Sequence, residues 1–324
     1  MGQKRPKLRK NRVTVGRDAH IAPDKYTKPN WIPVRIHANH TIIRLIEQTV
    51  FNMDDSGGIL LEIRNVSKRY DRGGLRAALS SRPGGRDAAV EALKDVSLTI
   101  REGETLGIIG ESGSGKSTLG YILSGIIKPD GGSVIWGDDA AGERRWSGND
   151  AGGGRRVQMI FQTPGSALNP AYPISWILHE ALRARGVASK TERCDIIRNT
   201  LPTVGLDDFC LGRYQHELSG GQKQRISILL ALLMEPRLIV ADEIVSSLDV
   251  SVRSQILNLL KDLQAAHNLS FLFISHDLDV VYHISHSIAV MRKGEIVECG
   301  PTEEICANAT HPYTRTLFGG FRLN

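Results

Sequence analysis

The chain has 324 residues, of which 41% are hydrophobic and 23% charged, and it carries a formal net charge of +6. This composition is typical of a globular protein large enough to bury a full core, and it excludes a disordered or fibrous chain. No apolar run reaches the length of about 18 residues that a membrane-spanning helix needs, so a membrane role would have to come through a partner.

The positive charge is concentrated at the N-terminus. Residues 1–30 contain nine Lys or Arg against two Asp, and the rest of the chain is close to neutral. A near-neutral body does not fit a surface that binds nucleic acid, and we expect no nucleic-acid partner. We predict that residues 1–56 form a basic extension with one amphipathic helix over 41–53. That helix either packs on the domain or docks on a partner or a membrane surface.

The cysteines show no spacing typical of a metal site. We therefore expect reduced thiols that serve in packing, at Cys194, Cys210, Cys299 and Cys306. The N-terminus also lacks the apolar core of a secretory signal, so we expect the chain to stay in the cytoplasm.

From residue 57 the chain alternates strands and helices. Runs rich in branched apolar residues predict strands at 59–66, 96–100, 105–109, 157–161, 238–241 and 270–274. Helical spacing predicts helices at 174–185 and 191–204. We assign 57–310 to an α/β catalytic domain with a helical part at about 163–235, and 311–324 to a tail. Glycine-rich segments at 71–91 and 137–154 are predicted to be surface insertions.

Residues 110–117 read Gly-Glu-Ser-Gly-Ser-Gly-Lys-Ser, directly between a predicted strand and a predicted helix. In such a loop the glycines let backbone N–H groups turn toward phosphate oxygens, and the helix N-terminus adds positive potential. Lys116 is expected to reach the β- and γ-phosphates, and the Ser117 hydroxyl to bind Mg²⁺. The predicted ATP contacts here are Gly110, Ser112, Gly113, Ser114, Gly115, Lys116, Ser117 and Thr118.

The run at 238–241 ends in two adjacent carboxylates, Asp242 and Glu243. One strand end can direct the first carboxylate toward Mg²⁺ and the second toward an attacking water. Together with the phosphate loop, these two residues predict nucleotide hydrolysis.

Residues 218–225 read Leu-Ser-Gly-Gly-Gln-Lys-Gln-Arg, and this signature segment resembles that of the ATP-binding cassette (ABC) family. Other positions resemble the family in the expected order, from residue 59 to about 310: Tyr70, which stacks on adenine in the family, Gln162 after a strand, the triplet 247–249 and His276. The resemblance implies a P-loop NTPase fold with a RecA-like core, an antiparallel β subdomain and a helical subdomain.

The resemblance also implies that two cassettes share their ATP sites. Glu243 would polarise the hydrolytic water, His276 would hold the γ-phosphate, and Gln162 would join Asp242 and Ser117 at Mg²⁺. The residues expected to contact the ATP of the opposite subunit are Ser219, Gly220, Gly221, Gln222 and Asp249.

Three further segments narrow the resemblance to the ATPases of bacterial oligopeptide, dipeptide and nickel importers: 161–170, 248–257 and the His-Pro-Tyr-Thr segment at 311–317. That resemblance implies a second ABC ATPase subunit, identical or different, two transmembrane permease subunits and an extracytoplasmic substrate-binding protein. The chain would then lie peripherally on the cytoplasmic face of the inner membrane.

One position departs from the family pattern, because Ile244 stands where the family usually has proline. The change frees a backbone dihedral and restores an N–H next to Glu243, which affects the expected rate of hydrolysis. Two alternatives stay open: a subunit that binds ATP with impaired hydrolysis in a heterodimeric pair, and an ABC protein without a transport role.

Overall fold

The computed structural model describes residues 58–70, 90–137 and 156–319. Two predictions fall outside these ranges: the basic extension of residues 1–56 with its helix, and nearly all of the two glycine-rich insertions. Within the described ranges, none of the helices combines the length and the apolar composition that a membrane crossing requires.

The described residues form nine strands and eight α-helices. The strands are β1 (Ile59–Tyr70), β2 (Val90–Arg101), β3 (Thr105–Ile109), β4 (Gly131–Trp136), β5 (Val157–Ile160), β6 (Leu238–Asp242), β7 (Ser270–Ile274), β8 (Ser287–Arg292) and β9 (Glu295–Pro301). The helices are α1 (Lys116–Leu123), α2 (Ile174–Arg185), α3 (Lys190–Thr200), α4 (Gly220–Leu233), α5 (Val250–His267), α6 (Leu278–Ile284), α7 (Thr302–Asn308) and α8 (Pro312–Phe318).

The strands are arranged in two sheets. The smaller sheet is antiparallel, in the order β2-β1-β4. The larger has the order β5-β6-β7-β3-β8-β9 and is parallel except for the β8–β9 hairpin. The predicted combination of an α/β core with an antiparallel β subdomain is confirmed.

The central strands β3, β6 and β7 are buried along their whole length. Successive side chains contribute to different sides of the sheet: Ile108 and Leu272 join the cluster shared with the antiparallel sheet, and Ile109 and Phe273 join the one shared with the helices. Burial on both faces explains why the sequence of these strands is almost continuously apolar. Their parallel direction brings the carboxyl ends of β3, β5, β6 and β7 to one edge of the sheet.

Residues 164–233 are mainly helical, as predicted. Helix α2 has the predicted bounds, whereas the single helix predicted over 191–204 is divided into α3 and a 3₁₀ turn at Leu201–Val204. Pro202 explains the division, because it has no N–H to continue the α-helical hydrogen bonds.

The C-terminal residues return to the core. Residues 311–319, within the segment assigned to a tail, contain α8, and its Tyr313 and Phe318 side chains are buried. All four cysteines are free. Cys210 is buried and Cys194 and Cys306 are partly buried, but Cys299 is exposed, so the predicted packing role is wrong for Cys299. Burial raises the pKa of Cys210 and of Cys306 to about 11, which is consistent with unreactive packing thiols.

Candidate active site

The phosphate loop (residues 110–117) connects β3 to α1 and is packed tightly against neighbouring backbone. Gly110 and Gly115 have φ angles of 151° and 110°. A Cβ at Gly110 would lie 2.0 Å from the Met291 carbonyl oxygen, and one at Gly115 would lie 2.4 Å from that of Ala92. Only glycine fits these two positions, and the packing fixes the loop at the N-terminus of α1.

The Lys116 side chain lies folded into this loop and is 6% exposed. Its Nζ donates hydrogen bonds to the carbonyl oxygens of Gly110 at 2.7 Å and Glu111 at 2.8 Å. Burial lowers the pKa of Lys116, although the charges of Glu243 and Asp242 act in the opposite direction. The ammonium group therefore lies inside the loop, bonded to its backbone carbonyl oxygens.

Asp242 ends β6 and is 5% exposed. Its Oδ1 accepts a hydrogen bond from the Ser117 hydroxyl at 3.2 Å. Burial raises the pKa of Asp242 and Glu243 adds to that effect, whereas Ser117 and Lys116 oppose it. A buried carboxylate beside a hydroxyl is a suitable pair of oxygen ligands for Mg²⁺, which commonly takes one or two protein oxygens plus substrate phosphates.

The described residues contain no group of three or more His, Cys, Asp or Glu side chains that could hold a metal ion by themselves. The oxygen pair of Ser117 and Asp242 therefore fits Mg²⁺ that arrives with a nucleotide better than a metal held by protein ligands alone.

Glu243 directly follows β6, and its side chain contacts residues that follow β5 and β7. Its Oε2 accepts a hydrogen bond from Gln162 Nε2 at 2.8 Å, and its Oε1 lies 3.2 Å from His276 Nδ1. Its backbone has a φ of 49° and donates an N–H hydrogen bond to the Ile274 carbonyl oxygen at 2.9 Å. Two side chains that are far apart in the sequence, Gln162 and His276, thus converge on the Glu243 carboxylate at the edge of the parallel sheet.

Ile244 follows Glu243 in a turn. The Glu243 carbonyl oxygen accepts from the Ser246 N–H at 3.2 Å and from the Ser246 hydroxyl at 2.8 Å. The Ile244 side chain is 1% exposed and packs in the core. Neighbouring residues hold the backbone of Glu243 on both sides, and this support does not depend on a proline.

The signature segment begins helix α4 at some distance in the fold from these contacts. Ser219 is the N-cap: its hydroxyl accepts from the Gln222 N–H at 3.2 Å, and Gln222 Oε1 accepts from the Ser219 N–H at 2.9 Å. Ser219 and Gly220 are exposed, and Gly221 is partly exposed. Among the described residues, no hydrogen bond joins residues 219–222 to the phosphate loop.

Asp249 caps the first turn of α5, and this turn lies beside the signature segment. A Cβ placed at Gly221 would lie 2.9 Å from the Val252 side chain in that turn. Asp249 Oδ1 accepts from the Val252 N–H at 3.1 Å and caps α5. One turn later, Arg253 forms an ion pair with Asp277 at 2.5 Å, directly after His276. Sequence analysis did not single out this ion pair, for which opposite charges 24 residues apart were the only signal.

Tyr70 ends β1 and is 40% exposed. Lys68 Nζ lies 5.9 Å from the centre of its ring. Burial raises the pKa of Tyr121 in α1, and Asp242 and Tyr70 add to the effect. The Tyr70 ring is partly open to solvent at the end of β1.

The remaining predicted loop residues differ in exposure. Ser112 and Gly113 are exposed, Thr118 is half-buried in α1, and Ser114 is buried. The Ser114 carbonyl oxygen accepts from the Gly294 N–H at 2.9 Å, which fixes the loop to the β8–β9 turn.

One loop contact was not predicted from the sequence. The Tyr313 hydroxyl accepts a hydrogen bond from the Glu111 N–H at 3.0 Å. Sequence analysis treated the segment around Tyr313 only as a mark of resemblance, because nothing in its spacing indicated a contact 202 residues away.

Comparison with known proteins agrees with this geometry. The family model described as ABC transporter matches residues 93–246. The probable peptide ABC transporter ATP-binding protein y4tS of Sinorhizobium fredii is 46% identical over 266 residues, which cover 80% of this chain and 71% of that protein. The oligopeptide transport ATP-binding protein AppF of Bacillus subtilis is 41% identical over 261 residues, covering 80% and 77%.

Solved structures give the same result at lower identity. The ATP-binding cassette MJ0796, in a dimeric post-hydrolysis state with ADP and Pi, aligns with a TM-score of 0.60 at 28% identity and covers 75% of this chain and 99% of that one. A second dimeric structure of MJ0796 gives a TM-score of 0.63 at 27% identity, with the same coverage.

Proposed function

The chain belongs to the ABC transporter family of ATPases, and on that premise we propose that it is the ATP-hydrolysing subunit of a bacterial importer for peptides. The observation that supports hydrolysis most directly is the convergence of Gln162 and His276 on Glu243, next to the buried Lys116 and Asp242. Peptides, rather than nickel or another small solute, are supported by the names of the relatives.

The phosphate loop binds the triphosphate. Backbone N–H groups of residues 112–118 surround the β-phosphate, and Lys116 exchanges its bonds to Gly110 and Glu111 for phosphate oxygens. Tyr70 stacks on the adenine from the end of β1. Lys116 and the rest of the loop already lie at the N-terminus of α1, so binding requires little rearrangement of the loop.

Ser117, Asp242 and Gln162 are the residues that would hold Mg²⁺. The ion supplies neutralisation of phosphate charge. Gln162 would then exchange its hydrogen bond to Glu243 for a ligand position, and Oε2 of Glu243 would be free for water. Glu243 orients this water and accepts its proton, while His276 contacts the γ-phosphate.

A second cassette completes the site. Ser219 and Gly220 are exposed and Gly221 is partly exposed at the start of α4, where N–H groups and the helix dipole favour an anion. We assign these residues, with Gln222 and Asp249, to the γ-phosphate of a partner cassette, identical or different. Loss of that phosphate on hydrolysis removes the contact and opens the pair.

The permease subunits are the other partners in this proposal, and a substrate-binding protein outside the membrane delivers the peptide. Tyr172 and Trp176 stack at 3.8 Å on the helical subdomain and are 38% and 41% exposed, which suits an apolar contact with a membrane subunit. The chain would lie peripherally at the cytoplasmic face of the membrane through this contact.

Two variants of the purified chain test the proposal. Lys116→Ala should weaken ATP binding by about 100-fold, because a buried charged donor is lost. Glu243→Gln should bind ATP, lower kcat by about 100-fold or more, and accumulate as a dimer in size-exclusion chromatography with ATP. Unchanged hydrolysis in both variants would contradict the proposal.

Peptide uptake by cells that carry each variant tests the transport role separately. Uptake should be lost in both variants. Normal uptake of peptides, with full loss of ATPase activity in the purified chain, would contradict the assignment to an importer.

A further inference from the structure

The His-Pro-Tyr-Thr segment places a buried hydroxyl group against the phosphate loop. Tyr313 is 7% exposed, and its hydroxyl accepts the hydrogen bond from the Glu111 N–H at 3.0 Å. We infer that Tyr313 is a positioning residue of the nucleotide site: it holds the peptide between Gly110 and Glu111 in the orientation that binds ATP. The inference rests on the phosphate-binding role proposed above for the loop.

This peptide is held at both of its polar ends. Its N–H group belongs to Glu111 and is bonded to Tyr313, and its carbonyl group belongs to Gly110 and accepts from Lys116 Nζ at 2.7 Å. When Lys116 turns to the phosphates, the bond to the carbonyl is lost. Tyr313 then keeps the peptide in place through the Glu111 N–H, because the movement of Lys116 does not disturb that hydrogen bond.

Gly110 makes such support useful. Its φ of 151° is accessible to glycine, and a glycine peptide rotates more freely than any other. A hydrogen bond from outside the loop reduces that freedom before ATP arrives, so less conformational entropy is lost on binding.

Tyr313 is itself fixed in position. The Glu298 carboxylate accepts from the Thr310 N–H at 2.6 Å, the Thr310 hydroxyl at 2.8 Å and the His311 N–H at 3.2 Å. Burial acts to raise the pKa of Glu298, but the Thr314 side chain together with these hydrogen bonds outweighs burial, so the pKa lies below its ordinary value and the carboxylate is charged.

Two further contacts orient the aromatic ring. His311 Nδ1 accepts from the Tyr313 N–H at 3.1 Å and caps α8, and the Arg292 guanidinium lies 4.7 Å from the ring centre. Packing alone would need only the ring, and phenylalanine would serve equally well. The hydroxyl contact with the loop is what distinguishes a positioning role from packing.

The first test is Tyr313→Phe in the full-length chain, with ATP and ADP binding measured by calorimetry in the presence of Mg²⁺. Both dissociation constants should rise by about 3- to 10-fold, the effect of one hydrogen bond. The KM for ATP should rise similarly, and kcat should change less than KM. The matched control is Thr316→Val, which removes an exposed hydroxyl from the same helix, bonded only to the Pro312 carbonyl oxygen among the described contacts.

A double-mutant cycle isolates the contact. Glu111→Pro removes the N–H that Tyr313 accepts, and Glu111 has no positive φ that would exclude proline. Adding Tyr313→Phe to Glu111→Pro should leave the ATP dissociation constant unchanged. If the two effects simply add, Tyr313 does not act through this N–H and the inference is wrong.

Wild-type protein provides a measurement that does not depend on the folding of any variant. The Glu111 amide should be protected from hydrogen exchange in NMR spectra with and without ATP, and rapid exchange in the ATP-bound state would overturn the inference. Normal ATP binding by Tyr313→Phe would overturn it as well and leave the proposed function intact. A wild-type chain that binds no ATP would instead contradict the proposed function.

Discussion

The edge of the parallel sheet and the signature segment differ in how much of a site one chain builds. At the sheet edge, Lys116 and Asp242 are buried, and Glu243 contacts residues from two other strand ends. At the signature, Ser219 and Gly220 are exposed and Gly221 is partly exposed, and their hydrogen bonds stay within the first turn of α4. The sheet-edge part of the site is formed by burial within one chain, whereas exposed helix N–H groups need a ligand held by another molecule.

The sharpest way to break this comparison is Ser219→Asp. Asp caps a helix as well as Ser, so the fold should be preserved, but its charge would repel the γ-phosphate of the partner cassette. ATP hydrolysis should fall by about 100-fold, and ATP binding at the chain's own phosphate loop should stay within about twofold of wild type. The control is Ser219→Asn, because asparagine has nearly the shape of aspartate but no charge. Steady-state ATPase assays measure hydrolysis, and calorimetry measures ATP binding.

Mixing Ser219→Asp with Lys116→Ala extends this test. In a mixed pair, the intact phosphate loop of one chain meets the intact signature of the other, so part of the activity should return. A mixture that stays inactive, while each variant alone still forms pairs, would mean that the signature does not serve a partner.

Gln162→Ala should have an intermediate effect on kcat, because it changes the contacts of Glu243 at the sheet edge. The variant removes the donor to Oε2 of Glu243 and one proposed Mg²⁺ ligand, and kcat should fall by about 10-fold. ATP binding through the phosphate loop should persist, and single-turnover kinetics separate this step from chemistry. Loss of ATP binding with an unchanged single-turnover rate of hydrolysis would show that Gln162 does not act on Glu243.

Asp242→Asn tests the cost of burial at the same edge. A folded-state pKa above the unfolded value means that ionised Asp242 destabilises the nucleotide-free protein at neutral pH, and this cost disappears below the unfolded pKa. The neutral amide should raise the free energy of unfolding by about 0.5–2 kcal/mol and so raise the melting temperature. Both increases should be larger at pH 7 than at pH 4. Thermal unfolding at both pH values checks this, and a lower melting temperature at pH 7 would contradict it.

Ile244→Pro should have the smallest effect. Proline suits the second position of the turn that follows Glu243, and the backbone of Glu243 is held by Ile274 and Ser246 in any case. The lower conformational entropy of the unfolded chain with proline offsets part of the lost isoleucine packing. The value of kcat should stay within about threefold of wild type, and a large increase would show that Ile244 impairs hydrolysis.

The sequence predicted local features of the sheet edge well. The strands β3, β6 and β7 are buried on both faces, so their composition alone identifies them, and the glycines of the phosphate loop reflect backbone contacts that exclude side chains. Helix α2 has the bounds predicted for it, but the helix predicted over 191–204 is divided near Pro202, which helical spacing of apolar residues does not register.

Contacts between distant segments were not predictable in the same way. The hydrogen bond from Gln162 to Glu243 spans 81 residues, and the bond from Glu111 to Tyr313 spans 202. Hydrophobic periodicity carries no information about such pairs. The family resemblance supplied the role of Gln162, and for Tyr313 it supplied none.

The arrangement of Glu243 also bears on a chain that has been synthesised but has not yet met its partners. Gln162 and His276 lie against the two carboxylate oxygens, one on each. Before nucleotide binds, these contacts hold the carboxylate in one orientation, so a newly made subunit keeps this part of its site in order until Mg²⁺ and ATP draw Gln162 away.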